Sequence, residues 1–326
     1  MIPDEIPVLI IGYARPTFTK ILIDSIRPIA PKKVYVKIDG PRSKKDEALN
    51  IEVIRESQKI DWDCDVKFQI SKENQGLKNT VISGIDWAFE NEEYLIILED
   101  DCIPSPNFFD FCAEVIPLYE NDHRVMQISG SNFVGGSSEV PDRWYFSTLN
   151  DIWGWATWKR AWSRFEREVP AQLSIELQRD FQNYFGSKKV SNWFGRYMRE
   201  ARSESSQVWS TQLTFSMIKN RGLTLVPQSN LVANIGFFED ATHKMGKHFI
   251  EYEEFGLAPL VSDRIPKIVK ANSKLDAIRF SLIARTDPNL AKVNLIKLRL
   301  RQMALHVAPR CLVVIVRWIK RKEQRR

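Results

Sequence analysis

Short apolar runs, each ending in glycine or polar residues, alternate along the first 130 positions with stretches whose apolar residues recur every three or four. Pro7-Val8-Leu9-Ile10-Ile11-Gly12 is apolar until it breaks at Gly12, as a strand buried on both faces of a parallel sheet does. Thr17 is placed to cap a helix that carries Phe18, Ile21, Leu22 and Ile26 on one face. Lys33 to Ile38 predicts a second strand, Lys44 to Lys59 a charged helix, Val66 to Ile70 a third strand and Asn74-Gln75-Gly76 the start of a helix through Phe89. Tyr94-Leu95-Ile96-Ile97-Leu98 then runs straight into Glu99-Asp100-Asp101. A strand and a helix every thirty residues or so is the pattern of a doubly wound parallel sheet, whose ligands sit beyond the carboxyl ends of the strands.

Those ends carry chemistry. Arg15 follows the first strand, Asp39 the second, Asn74 and Gln75 the third, and the acidic trio the fourth. Adjacent carboxylates repel, so three at a strand end call for a cation, hydrogen-bond donors or open water. Oxygen ligands suit Mg²⁺ or Mn²⁺, which commonly bridge one or two carboxylates to substrate phosphates. Neither GxGxxG after the first strand nor GxxxxGK[ST] anywhere is present, which disfavours a nicotinamide Rossmann domain and a P-loop NTPase.

The pattern continues with Ser105-Pro106 as the start of a helix to Glu120, a strand at Val125 to Ser129, and a Gly-, Ser- and Asn-rich loop to Asp142. Six of the ten tryptophans fall between 144 and 193. The spacing of Trp158, Ala161, Trp162 and Phe165 predicts one buried helix face. Trp153 and Trp155 precede it in a glycine-containing turn, where their rings serve either as platforms for the CH face of an acceptor sugar or as packing. A helix over Val208 to Asn220 and a strand over Leu223 to Pro227 follow. Beyond them Glu239, Asp240 and His243 cluster in a loop, where His243 is either a ligand to metal or diphosphate or an ordinary loop residue.

From residue 256 the character changes to amphipathic helices over Leu275 to Ile283 and Leu290 to Leu305 and a basic end, giving an expected division into 1–255 and a helical region 256–326. Of the net +6, residues 292–326 hold eleven Lys or Arg against the single acid Glu323, leaving the first 291 residues at −4. The basicity is therefore a property of the tail, read as a helix on an anionic membrane surface, a helix packed on the domain, or a disordered tail; nucleic acid is not an expected partner. Cys64, Cys102, Cys112 and Cys311 lack CxxC spacing and fit reduced thiols. With no apparent signal peptide and no apolar window of spanning length, the expected location is cytoplasmic, with a peripheral inner-membrane association through the tail as the variant.

The strand ending in Glu99-Asp100-Asp101, the proline-containing turn after it and the helix from Asn107-Phe108-Phe109 resemble the acidic motif of GT-A glycosyltransferases, most closely of the N-acetylglucosaminyltransferase I family. Trp153-Gly154-Trp155-Ala156-Thr157-Trp158 and the segment from Asn234-Ile235-Gly236 to His243 are similar to a bacterial branch of these nucleotide-diphospho-sugar transferases. The resemblance covers about residues 6 to 248. It implies an α/β fold of GT-A type, a mixed, mostly parallel sheet flanked by helices, to which the pattern from residue 256 adds a helical C-terminal appendage. It also implies a Mn²⁺- or Mg²⁺-dependent, inverting transfer of sugar from a nucleotide-sugar, a UDP-sugar by preference, to a surface glycan or lipid-linked acceptor. By the same resemblance Asp101 is a metal ligand, Glu99 and Asp100 hold donor ribose and sugar, Asp39 contacts uracil, Arg15 and Gln75 meet the donor, and His243 meets the metal or diphosphate. The pattern breaks at Val208-Trp209-Ser210, where related sequences carry an aspartate base after the tryptophan. Serine cannot serve as that carboxylate, which moves the expectation to Asp240, with Glu239 beside it, or to a chain that binds glycan without catalysis. A sugar-nucleotide nucleotidyltransferase is the other enzymatic reading.

Overall fold

A computed structural model describes residues 1–134, 140, 142–170, 173–200, 207–236 and 260–283. Glu239, Asp240, His243, Cys311, the expected helix at 290–305 and the basic run from 292 lie outside the described residues. The chain divides into two compact units, Met1–Ala277 and Ile278–Arg326.

In the first unit the strands are β1 (Val8–Gly12), β2 (Lys33–Ile38), β3 (Asp65–Ile70), β4 (Tyr94–Glu99), β5 (Cys102–Pro104), β6 (Val125–Ser129), β7 (Trp144–Ser147), β8 (Trp155–Trp158), β9 (Leu223–Pro227) and β10 (Val232–Asn234). The helices are α1 (Pro16–Ile26), α2 (Lys44–Ser57), α3 (Leu77–Phe89), α4 (Pro106–Tyr119), α5 (Lys159–Trp162), α6 (Ile175–Phe185), α7 (Lys188–Glu200) and α8 (Ser210–Lys219), and α9 (Ser273–Ile283) runs into the second unit. Eight strands form one mixed, mostly parallel sheet in the order β3-β2-β1-β4-β8-β6-β9-β7. The first four are parallel, β8 is inserted antiparallel between β4 and β6, β9 returns parallel to β6, and β7 closes the edge antiparallel.

The continuous apolar runs follow from this placement. Along β1, Val8 and Ile10 pack into one core with Leu22, Ile26, Val53 and Phe109 from α1, α2 and α4. Leu9 and Ile11 face the opposite core with Val81, Ile85, Trp209 and Leu213 from α3 and the α8 side. Ile96 and Leu98 of β4 belong to the first core and Leu95 and Ile97 to the second, so neither strand has a face left for a polar residue.

Two expectations give way. Helix α1 begins at Pro16 with Arg15 rather than Thr17 as its N-cap, because proline's fixed φ favours the first helical position. Trp158 is not on a helix face: it ends β8, opposite Tyr94, and the helix that follows spans only Lys159–Trp162. Its spacing with Ala161 and Trp162 is a strand running into a short helix. Residues 260–277 belong to the first unit: Val261 and Ser262 N–H groups donate to Gln228 Oε1 at 3.1 Å each, and Thr148 N–H donates to Asp276 Oδ2 at 2.9 Å. Among the described residues no helix is long and apolar enough to cross a membrane.

Candidate active site

The carboxyl ends of β2, β1 and β4 are stapled side by side. Asp39 N–H donates to the Gly12 carbonyl at 3.1 Å and Asp100 N–H to the Ile11 carbonyl at 3.0 Å. With strands spaced about 4.8 Å apart, this sets Asp39 and the acidic trio roughly 10 Å from each other across β1. Glu99 is opposite Ile11 in the ladder, so the trio begins on the last paired residue of the strand.

Arg15 bridges the trio. Its Nη1 lies 3.0 Å from Asp101 Oδ2, its Nη2 pairs with Asp100 Oδ1, and its guanidinium rests on the Phe18 ring at 5.3 Å. Burial alone acts to lower the arginine's pKa, but the charges of Asp100 and Asp101 outweigh it and raise it. One cation does not neutralise three acids. Burial, and then the charges of Asp101 and Asp100, push Glu99 up to about 8. Burial likewise pushes Asp100 up to about 6, against the pull of Arg15.

Asp101 is held from the other side by the two-stranded sheet of β5 and β10. Ile235 N–H donates to the Asp101 carbonyl at 2.9 Å, Asn234 Nδ2 approaches Asp101 Oδ1 at 3.4 Å, and Cys102 Sγ lies 3.5 Å from the same oxygen. Gly236 passes so close that a Cβ there would sit 2.3 Å from Asp101 Oδ2. Asn234 and Gly236 are neighbours of Asp101 that the site residues chosen from sequence omit. Their motif is visible, but its contact with a residue more than 130 positions away is not.

Asp39 behaves differently. It is 4% exposed, and its carboxylate accepts from Gly40 N–H (2.9 Å), Gln75 N–H (2.8 Å), Asn74 Nδ2 (2.9 Å) and Gly76 N–H (3.1 Å). Four donors fill the acceptor capacity of a carboxylate. Its oxygens organise the loop before α3, and Gln75 enters that arrangement through its backbone. Gly76, at φ +78°, turns the chain into α3, a backbone conformation that favours glycine.

The tryptophans separate. Trp155 is 1% exposed and stacks on Trp209 with ring centroids 5.9 Å apart, so its ring packs in the core rather than facing solvent. Trp153 stays half-buried, edge-on to Phe133 at 5.3 Å, in the turn that leads into β8 beside the end of β4. Gly154, at φ +62°, makes that turn, and its carbonyl accepts from Gly130 N–H at 2.8 Å. Ser210 opens α8, directly after Trp209.

No protein-family model and no curated protein sequence matches this chain. Among solved structures it is similar to UDP-glucose pyrophosphorylase complexed with UDP-glucose, at 8% identity and TM-score 0.33 over 69% of this chain and 90% of that one. It is also similar to 4-diphosphocytidyl-2C-methyl-D-erythritol synthase from Anaerococcus prevotii, at 9% identity and TM-score 0.34 over 73% and 94%. The galactosyltransferase LgtC in complex with donor and acceptor sugar analogues matches at 9% identity and TM-score 0.36 over 86% and 95%. Likenesses this loose leave the functional reading to the geometry.

Among the described residues no three His, Cys, Asp or Glu side chains form a cage for a metal. A divalent ion coordinated by one or two carboxylates and by phosphate oxygens needs no such cage. The hard oxygen donors of the trio and their surplus of negative charge fit Mg²⁺ or Mn²⁺ in that manner.

Proposed function

We propose that the chain is a metal-dependent glycosyltransferase of GT-A type that moves a sugar from a nucleotide-sugar, by preference a UDP-sugar, to a glycan or lipid-linked acceptor. The observation that carries this reading is the under-neutralised trio Glu99, Asp100 and Asp101, seated with Arg15 at the carboxyl end of a mixed sheet, where α/β folds bind their ligands. Asp101 is the residue that would hold Mn²⁺ or Mg²⁺, which supplies positive charge to the diphosphate of the donor. Arg15 offers that diphosphate a planar pair of N–H donors, and Asp100 and Glu99 are the acceptors available to sugar and ribose hydroxyls. Trp153 is the aromatic left for the acceptor.

In an inverting transfer the acceptor oxygen forms its bond to the anomeric carbon as the bond from that carbon to the diphosphate breaks, and a carboxylate takes the acceptor's proton. Ser210 cannot take it, so Asp240, with Glu239 as the neighbouring choice, is the proposed base. Incubation with a panel of UDP-sugars, Mn²⁺ and oligosaccharide acceptors tests the reading: release of UDP that depends on acceptor and is lost in Asp101→Asn supports it. No UDP release and no nucleotide binding from any donor would end it. Ser210, standing after Trp209 where a carboxylate base is expected, favours one second reading, a transferase-derived glycan binder. That reading predicts nucleotide or glycan binding with no turnover.

A further inference from the structure

The guanidinium of Arg15 lies against the carboxylate oxygen that a divalent cation at Asp101 would need. Its Nη1 is 3.0 Å from Asp101 Oδ2, and the second arm of the fork pairs with Asp100. Two positive groups cannot share that oxygen without strong repulsion at such range. One of the three participants has to move when metal enters, and the contacts around them identify which.

Asp101 is fixed. Its carbonyl accepts from Ile235 N–H, its Oδ1 faces Asn234 Nδ2 and Cys102 Sγ, and the backbone of Gly236 closes over its Oδ2. Asp100, 2% exposed, is anchored through its own N–H to β1. The backbone of Arg15 is fixed too, because its carbonyl accepts from Thr19 N–H at 3.0 Å and Thr19 Oγ1 at 3.1 Å. The guanidinium itself has the two ion pairs, the Phe18 face and a side chain 25% exposed. It is the part free to swing.

We propose that Arg15 is an internal counter-ion that occupies the cation position of the free chain and releases Asp101 to a divalent metal only when a nucleoside diphosphate arrives to receive the guanidinium. The free chain then binds metal weakly, and metal and nucleoside diphosphate bind cooperatively. The coupling is reciprocal, since whatever factor the nucleotide adds to metal affinity the metal adds to nucleotide affinity. A diphosphate suits the hand-over because its oxygens accept both arms of a guanidinium. This inference rests on the donor and metal reading above and adds the order in which the site is filled.

Binding of Mn²⁺, followed by the loss of the free-ion electron paramagnetic resonance signal, tests it in the full-length chain with and without UDP. In the wild type, UDP should raise Mn²⁺ affinity at least tenfold. Arg15→Met should bind Mn²⁺ without UDP at least tenfold more tightly than the wild type, and the factor by which UDP raises Mn²⁺ affinity should shrink. Arg15→Lys, which keeps the charge but loses the fork, should fall between them, and it carries the test if Arg15→Met does not fold. Equal or weaker Mn²⁺ binding by a folded Arg15 variant in the absence of UDP overturns the counter-ion role. UDP binding by the wild type that is indifferent to Mn²⁺ also overturns it while leaving donor binding intact. Failure of the wild type to bind either one removes the donor reading itself.

Discussion

Two carboxylate sites lie at the same edge of the same sheet, one strand apart from β1 on either side, and they are built in opposite ways. Asp39 is surrounded by four protein donors, and none of its acceptor capacity remains. The trio at the end of β4 has one guanidinium for three acids and holds Glu99 and Asp100 well above the usual carboxylate range. A saturated carboxylate is a structural clamp; a crowded, buried and under-neutralised trio favours protonation and has acceptor capacity that a further cation would fill. Position at a strand end does not distinguish the two, but the donor inventory does.

The strongest break between them is expected in stability. Asp39→Ala orphans the N–H groups of Gly40, Gln75 and Gly76 together with the Asn74 amide. At about 1–3 kcal/mol for each buried donor, and with Asn74 and Gln75 partly rescued by water, the unfolding free energy should fall by roughly 3 kcal/mol in a urea titration. A loss below about 1 kcal/mol would remove the clamp interpretation.

Next in size is an effect on binding rather than on folding. Gly236→Ala drives a methyl group into the Asp101 carboxylate, whose oxygen stands 2.3 Å from the position of the new Cβ. Affinity for UDP with Mn²⁺ should drop at least tenfold, about 1.4 kcal/mol, measured by isothermal titration. Gly186, at the αL cap of α6 with φ +62° and nothing within 4 Å of where a methyl group would sit, is the matched control. Gly186→Ala should cost about 1 kcal/mol of stability through backbone strain and leave UDP affinity unchanged.

How much of this is legible in the sequence depends on how local each signal is. The strands β1 and β4 stand out because a doubly buried strand is apolar along its length and ends at glycine or polar residues, and β2 and β3 stand out as short β-branched and aromatic runs between helical stretches. The trio stands out because three acids interrupt such a run. The strands β7 and β8 do not, since Trp144 to Ser147 and Trp155 to Trp158 become strands through partners tens of residues away. The same distance hides Trp155, whose burial depends on Trp209, and Asn234, whose neighbour is Asp101. Asp39 shows the limit most plainly: its place at a strand end is readable, but the four donors come from loops whose approach is a property of the packed sheet. Ser71 N–H on Ile38 and Asn50 Nδ2 on the Asp39 carbonyl hold those loops, and neither pairing has a mark in the local pattern.

The central claim is that the trio holds charge for a ligand rather than for the fold, and Asp101→Asn tests it most directly. The change keeps the shape of the side chain and removes one charge from a crowded set. Stability and UDP affinity in the presence of Mn²⁺ are measured on the same preparation. The account predicts an unfolding free energy within about 1 kcal/mol of the wild type, together with loss of the thermal shift that saturating UDP and Mn²⁺ give the wild type, worth about 2.7 kcal/mol at a hundred times the dissociation constant. A variant that unfolds as Asp39→Ala is expected to, or one that keeps full UDP affinity with Mn²⁺, would contradict it.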